Sequence, residues 1–241
     1  VQITQRQKEV LMAIIKEFME NADEVGSVTL LEKYNFDVSS ATIRNEMVHL
    51  MDEGLLEKSH VSSGRFPTDQ AIRMYVKQQL DESQSNPLLS VEISQGIFRE
   101  RFNKDLVTNS VLNLLSENTG SIAFVVLDRI LRYWGLSNIL KYEEINNEKT
   151  LRSLINIIED PVFLTNLCQK YGGDKVSLLI GEESGIEDLE DCSIAFIKTP
   201  FWETKEAYVG VLGAKRMDYN KVVIALKEIR NSLQSSMHGW S

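Results

Sequence analysis

The stretch that decides the fold is Val38-Ser-Ser-Ala-Thr-Ile-Arg-Asn-Glu-Met47, continuing through Val48-His-Leu-Met51 to Gly54. Ser39 or Ser40 is placed to cap a helix, and Gly54 to stop it. Ile43, Met47, Leu50 and Met51 recur at i, i+4, i+7 and i+8, the spacing of one buried helical stripe. The opposite face then carries Ala41, Thr42, Asn45, Val48 and His49, with Arg44 on the flank. These residue types suit the edges of base pairs. Asn can pair bidentately with adenine, Thr can bond several bases, and an Ala methyl can meet a thymine methyl. Ser39 and Ser40 suit phosphate contacts at the positive end of the helix. The same pattern also fits an ordinary amphipathic helix with a solvated polar face, and periodicity alone does not choose between the two.

Upstream, Thr4-Gln5-Arg6-Gln7 has the form of a capping box. Val10, Leu11, Ile14, Ile15 and Phe18 follow at helical spacing, and Asn21–Gly26 interrupts them. Ser27 is expected to cap a short helix over Val28–Tyr34. Downstream, Leu55–His60 reads as a strand, Ser62-Ser-Gly-Arg65 as a turn and Phe66-Pro-Thr68 as a short return. Asp69–Leu80 is again helical, with Ile72, Tyr75, Val76 and Leu80 on one face. Three helices, a hairpin and a closing helix predict a winged helix-turn-helix. In the wing, Gly64 is expected to permit a turn other residues resist, and Arg65 to reach a phosphate or minor groove. Lys58, His60, Ser62 and Ser63 supply further donors there.

The remainder alternates helices and strands. Asp81–Pro87 is polar and predicts a linker. A helix is expected over Leu88–Glu117, its stripe drawn through Phe98, Phe102, Leu106, Val111 and Leu114-Leu115, with Gly120 ending it. Strands are expected over 121–127, 176–180, 192–198 and 207–212, and helices over 148–160, 161–171 and 218–235. The fold class is therefore α+β, with a winged helix over 1–80, a linker over 81–87 and a second domain over 88–241.

Composition narrows the function classes. With 43% hydrophobic and 25% charged residues, the 241-residue chain can bury a core without disulfides. No apolar run suits a membrane span, the start lacks a signal-peptide core, and Cys168 and Cys192 show no framework spacing. A cytoplasmic location is expected, with no membrane contact. His49, His60 and His238 share no metal-ligand spacing, Gly172-Gly-Asp-Lys175 lacks the Walker pattern, and no catalytic constellation, cofactor or metal is expected. The net charge of −9 argues against nucleic acid. Between Ser39 and Leu80, however, five basic residues (Arg44, Lys58, Arg65, Arg73, Lys77) balance five acidic ones, so the acid excess lies elsewhere. A neutral reading unit implies weak non-specific affinity and dependence on two half-sites.

The run from Val25 to Tyr34, then 38–47, Glu53-Gly-Leu-Leu-Glu-Lys58 and Ser63-Gly-Arg-Phe-Pro-Thr-Asp69, closely resembles the HrcA family of heat-inducible transcription repressors. Further blocks resembling the family are Gly135-Leu-Ser-Asn-Ile-Leu140, Ile180-Gly-Glu-Glu-Ser184, Leu189-Glu-Asp-Cys-Ser193, Val209-Gly-Val-Leu-Gly213 and Arg216-Met-Asp-Tyr219. The resemblance implies a repressor of chaperone operons that binds an inverted-repeat operator in double-stranded DNA as a homodimer. It also implies support by the GroEL chaperonin, and a winged helix followed by a GAF-like domain with an inserted dimerisation region. By motif, Ser40, Thr42, Arg44 and Asn45 would face DNA, with Gly64 and Arg65 in the wing; Ser39, His49, Lys58 and Ser63 complete the candidate set. Two departures stand out. Ala71-Ile72 replaces the family's Gly-Tyr, and only fourteen residues, Ser121–Trp134, separate Gly120 from the Gly-Leu-Ser-Asn block, where the family has a much longer interval. The second domain is thus expected to be a shortened GAF-like one. Two other function classes fit the residues: a winged-helix regulator gated by a small ligand in the C-terminal half, and an interaction module that has lost DNA binding.

Overall fold

The computed structural model describes residues 3–58, 64–82, 87–202, 204 and 206–238. It divides into two compact units, Val1–Glu82 and Ser83–Ser241. No helix among the described residues is long and apolar enough to cross a membrane.

The first unit opens with α1 (Gln5–Asn21). Thr4 accepts from the Gln7 amide while the Gln7 side chain accepts from the Thr4 amide, the reciprocal box that satisfies two otherwise orphaned donors. Helix α2 (Ser27–Lys33) and helix α3 (Ser40–Asp52) pack across α1. Ser27 does not cap α2. Gly26 holds that position without a side-chain bond, and the Ser27 hydroxyl lies 3.0 Å from that of Ser40. At the end of α3, Gly54 takes φ +73, a conformation that favours glycine, while the Leu55 amide bonds back to Leu50. The chain then forms a minimal hairpin, β1 (Leu56–Glu57) against β2 (Phe66–Pro67), and closes with α4 (Asp69–Glu82). The expected strand to His60 is shorter, and positions 59–63 lie outside the described residues. The core consists of Leu11, Ile14, Ile15, Leu30, Ile43, Leu50 and Leu55, all with no exposed surface, and Met47 beside them. Met51, placed in the buried stripe by its spacing, is only half-buried at its margin.

In the second unit the expected long helix is two. Helix α5 (Pro87–Glu100) and helix α6 (Lys104–Thr119) are separated by a turn, with Asn103 accepting from the amides of Asp105 and Leu106 to start α6. The buried stripes are Leu89-Ile93-Ile97 and Val107-Val111-Leu115. The ten-residue step from Ile97 to Val107 would rotate a continuous helix by about 80° from register at the usual 100° per residue. The break lets both stripes face one core. The competing outer stripe is left in solvent, with Phe98 57%, Phe102 67% and Leu106 45% exposed.

Five antiparallel strands follow: β3 (Ile122–Leu127), β4 (Ile130–Trp134), β5 (Ser177–Ile180), β6 (Cys192–Lys198) and β7 (Ala207–Ala214). Their order in the sheet is β4-β3-β7-β6-β5. Alternation divides the sheet between two layers. Ile122, Phe124, Val126, Ile194, Phe196 and Leu212 join one core with α7 (Glu148–Glu159) and α8 (Pro161–Tyr171). Helices α5 and α6 pack with α9 (Tyr219–His238), and α6 and α9 also meet the sheet. Strand β4 has no counterpart among the sequence expectations. It is joined to β3 by two residues, Asp128 and Arg129, at φ +47 and +71, the left-handed pair that a two-residue hairpin requires. The fourteen-residue interval noted above is therefore a closed hairpin. The architecture is mixed helix and antiparallel sheet.

Candidate nucleic-acid interface

The exposed face of α3 is built by what holds its other face. Ile43 and Leu50 are completely buried and Met47 nearly so, which fixes the rotation of the helix about its axis. Ser39, Ala41, Arg44, Asn45, Val48 and His49 then lie in solvent, and Ser40 and Thr42 are half-buried. The N-terminus is set by Ser39, which accepts from the Thr42 amide at 3.2 Å. The Ser39 and Thr42 hydroxyls are 3.0 Å apart. Ser40 is turned to Ser27, so its hydroxyl ties α3 to α2 in this state.

The acid nearest this face is drawn away from it. Glu46 accepts from Gln7 Nε2 at 3.1 Å and lies 3.7 Å from the Arg6 guanidinium, both on α1. The result is a helix face that presents Arg44 without an unpaired carboxylate in its first two turns. The sequence composition counts Glu46 against DNA binding; the structure removes part of that objection by pairing it.

A second polar cluster holds α1 to α2. Glu17, 6% exposed, accepts from the Lys33 ammonium and from the Tyr34 hydroxyl at 3.0 Å. The Lys33 bond holds the Glu17 carboxyl below its ordinary range against the opposing effect of burial, and the Tyr34 bond adds to the lowering. Burial and the Glu17 contact push the Tyr34 phenol up to about 12. Such a paired carboxylate fixes the angle between helices and is a scaffold for the exposed face.

At the hairpin, Gly64 is buried and Arg65 half-buried. The backbone of Arg65 exchanges both bonds with Val25, at 3.0 and 3.1 Å, adding a third short segment to the β1–β2 pair. The need for glycine at 64 is a close approach: a Cβ there would stand 2.5 Å from the Cβ of Glu24 and 3.2 Å from its carbonyl carbon. The Arg65 side chain is folded back, with Nε donating to the Met51 sulfur and Nη1 to the Gly64 carbonyl at 2.9 Å. It thus lies against the end of α3, and reaching a phosphate requires it to swing outward. Lys58 is exposed after β1. His60, Ser62 and Ser63 lie outside the described residues. The tethering of Glu46, the Ser27–Ser40 contact and the Val25–Arg65 bridge escaped the sequence reading. Each joins residues more than ten positions apart, and no local pattern marks them.

Among the described residues, no group of three or more His, Cys, Asp or Glu is arranged to hold a metal. Cys168 and Cys192 are buried free thiols, and burial raises both pKa values, that of Cys192 to about 12, which keeps the thiols protonated and unreactive.

Comparison with known proteins decides the family. The profile described as "HrcA protein C terminal domain" matches residues 38–223. The chain belongs to the HrcA family. It is similar to the heat-inducible transcription repressor HrcA of Clostridium botulinum (strain Alaska E43 / Type E3), 23% identical with 99% of each chain covered. It is 25% identical to the protein of that name from Clostridium tetani, covering 97% of this chain and 95% of that one. A crystal structure of a hypothetical protein at 2.2 Å resolution shares the fold, with a TM-score of 0.78 at 20% identity and 99% of each chain covered. The Clostridium botulinum alignment spans 342 positions against the 241 residues here, so about a hundred positions of that HrcA face no residue of this chain.

Proposed function

We propose that this protein is a transcriptional repressor of chaperone operons that reads an inverted-repeat operator and is released on heat stress. The observation that carries this reading is the exposed face of α3, with Arg44, Asn45, Val48 and His49 held outward by a fully buried opposite stripe and Glu46 paired away. In this reading residues 1–80 are a winged helix-turn-helix, 81–87 a linker and 88–241 a shortened GAF-like domain that pairs two chains. The name of the relatives, heat-inducible transcription repressor HrcA, supports the regulatory role.

Recognition would divide between elements. Asn45 and Val48 meet base edges in the major groove; Ser39, Thr42 and the amides of the first turn of α3 meet phosphate. Arg44 and Lys58 anchor the backbone, and Arg65 swings from Met51 to a phosphate or the adjacent minor groove. Because these cations are few, specific binding depends on two reading heads held at the half-site spacing. Heat then acts by lowering the fraction of correctly spaced pairs, and the GroEL chaperonin by raising it. The protein is cytoplasmic and not an enzyme in this reading. Ligand gating is not favoured, since Phe124, Phe196 and Leu154 fill the space between sheet and α7–α8.

The test is a gel shift with an inverted-repeat operator against scrambled DNA, with GroEL added or withheld. A preference for the repeat is expected, increased by GroEL. Equal affinity for both DNAs would end the reading.

A further inference from the structure

Strand β4 is one of the two edge strands of the sheet, and among the described residues no strand pairs with its outer side. Edge strands are normally blunted by proline, by an inward-pointing charge or by a covering loop. The only charged residue of β4 is Arg132, and its charge is already paired: Nη2 lies 2.6 Å from Asp105 Oδ1 on α6. The direction of its backbone groups follows from the ladder. The Asp128 amide bonds to Glu206, just ahead of β7, so alternate residues of β3 face β7 and the others, Ala123, Val125 and Leu127, face β4. Their partners Trp134, Arg132 and Ile130 are thereby satisfied. Leu131 and Tyr133 point their amides and carbonyls outward, and no bond from either is present among the described residues.

The same strand exposes apolar surface out of proportion to its length. Ile130 is 65% exposed, Tyr133 43%, Trp134 56% and the adjoining Leu136 40%. We infer that β4 pairs antiparallel with β4 of a second copy of this chain, continuing the sheet through a twofold axis at Arg132. In that register Leu131 and Tyr133 exchange their free backbone bonds with Tyr133 and Leu131 of the copy. On one face Ile130 lies against the copy's Trp134, and on the other Leu131 lies against its Tyr133. Every residue of the strand finds an apolar partner except Arg132, which meets its own counterpart. The two Asp105 carboxylates offset that repulsion. Slipping by two residues in either direction leaves two strand residues of each chain without a partner. The exposed apolar side chains amount to about 500 Å² per chain, to which backbone and rim add; a stable interface needs about 800 Å² per partner. The short hairpin thus exposes an edge by which two reading heads can be joined. The inference rests on the proposed function only for its purpose, because its test reads association without DNA.

Sedimentation equilibrium of the full chain is expected to give a dimer whose dissociation constant rises at least tenfold in Trp134→Lys. At the axis Arg132 and its counterpart form a non-hydrogen-bonded pair with Cα atoms about 4.5 Å apart, within disulfide reach. Arg132→Cys should therefore oxidise to a covalent dimer, while Arg152→Cys, on α7 with its side chain 71% exposed, should not. Buried Cys168 and Cys192 do not compete. A monomeric wild type, an unchanged constant in Trp134→Lys, or cross-linking of Arg132→Cys no faster than Arg152→Cys would each overturn the inference. If the cross-link forms but the repeat is not preferred over scrambled DNA, the operator reading fails and the interface stands.

Discussion

The two-residue turn that joins β3 to β4 carries a measurable strain. Asp128 and Arg129 both adopt positive φ, +47 and +71. Asp tolerates this region, and its carboxylate also accepts from the Glu206 amide at 3.3 Å, which gives it a local reason to stay. Arg129 has no such compensation among the described residues, and its Cβ meets the cost of about 1–2 kcal/mol that a left-handed conformation imposes on an ordinary residue. Glycine removes that cost but loses more chain entropy on folding, so Arg129→Gly should stabilise the second unit by a net ~0.5–1 kcal/mol. No tryptophan falls within residues 1–82, so tryptophan fluorescence does not report the first unit, and Trp134 and Trp202 follow the unfolding of the second. With a urea slope of about 2 kcal/mol per molar for a unit of this size, the midpoint should rise by roughly 0.3–0.5 M at fixed protein concentration and unchanged slope. Arg129→Ala is the control, because it removes the charge and keeps the Cβ. If Arg129→Gly unfolds no later than Arg129→Ala, the turn is not under the strain assigned to it.

Asn45→Ala should leave the fold intact and cost about 1–3 kcal/mol against the operator, with little change on scrambled DNA; equal losses in a competition gel shift would place Asn45 on the backbone. Arg65→Ala should weaken binding to both DNAs and lower the slope of log affinity against log salt by about 1. An unchanged slope would leave Arg65 as a support for Met51. The Glu17 carboxyl has its folded pKa below the unfolded value, so its contribution is present above about pH 4.5 and is lost as pH falls through the folded value. Thermal unfolding followed by far-ultraviolet circular dichroism should therefore show a midpoint for the first unit that falls in acid, and Glu17→Gln should flatten that fall. Gly64→Ala forces a Cβ into Glu24 and should destabilise the first unit by about 1–3 kcal/mol in the same assay, whereas a neutral effect would mean the hairpin can move aside.

Rules that act within a few residues account for the elements legible in the sequence. The Thr4–Gln7 box, the cap at Ser39, the stop at Gly54 and the stripe Ile43-Met47-Leu50 all appear where local spacing predicts them. The HrcA family was also legible there, in runs such as 38–47. Tertiary structure decided every case in which two local solutions competed. Between Leu89 and Leu115 two apolar stripes compete, and the aromatic one through Phe98 and Phe102 stays in solvent. The helix breaks at Asn103 because only then can Ile97 and Val107 share a core. Strand β4 is not legible in the sequence because its exposed residues Ile130, Tyr133 and Trp134 are as apolar as half-buried Leu131, which leaves no alternation to read. The candidate site divides in the same way. Local periodicity indicates which residues of α3 face outward, while partners elsewhere decide their state: Ser40 held by Ser27, Glu46 by α1, and Arg65 by Met51.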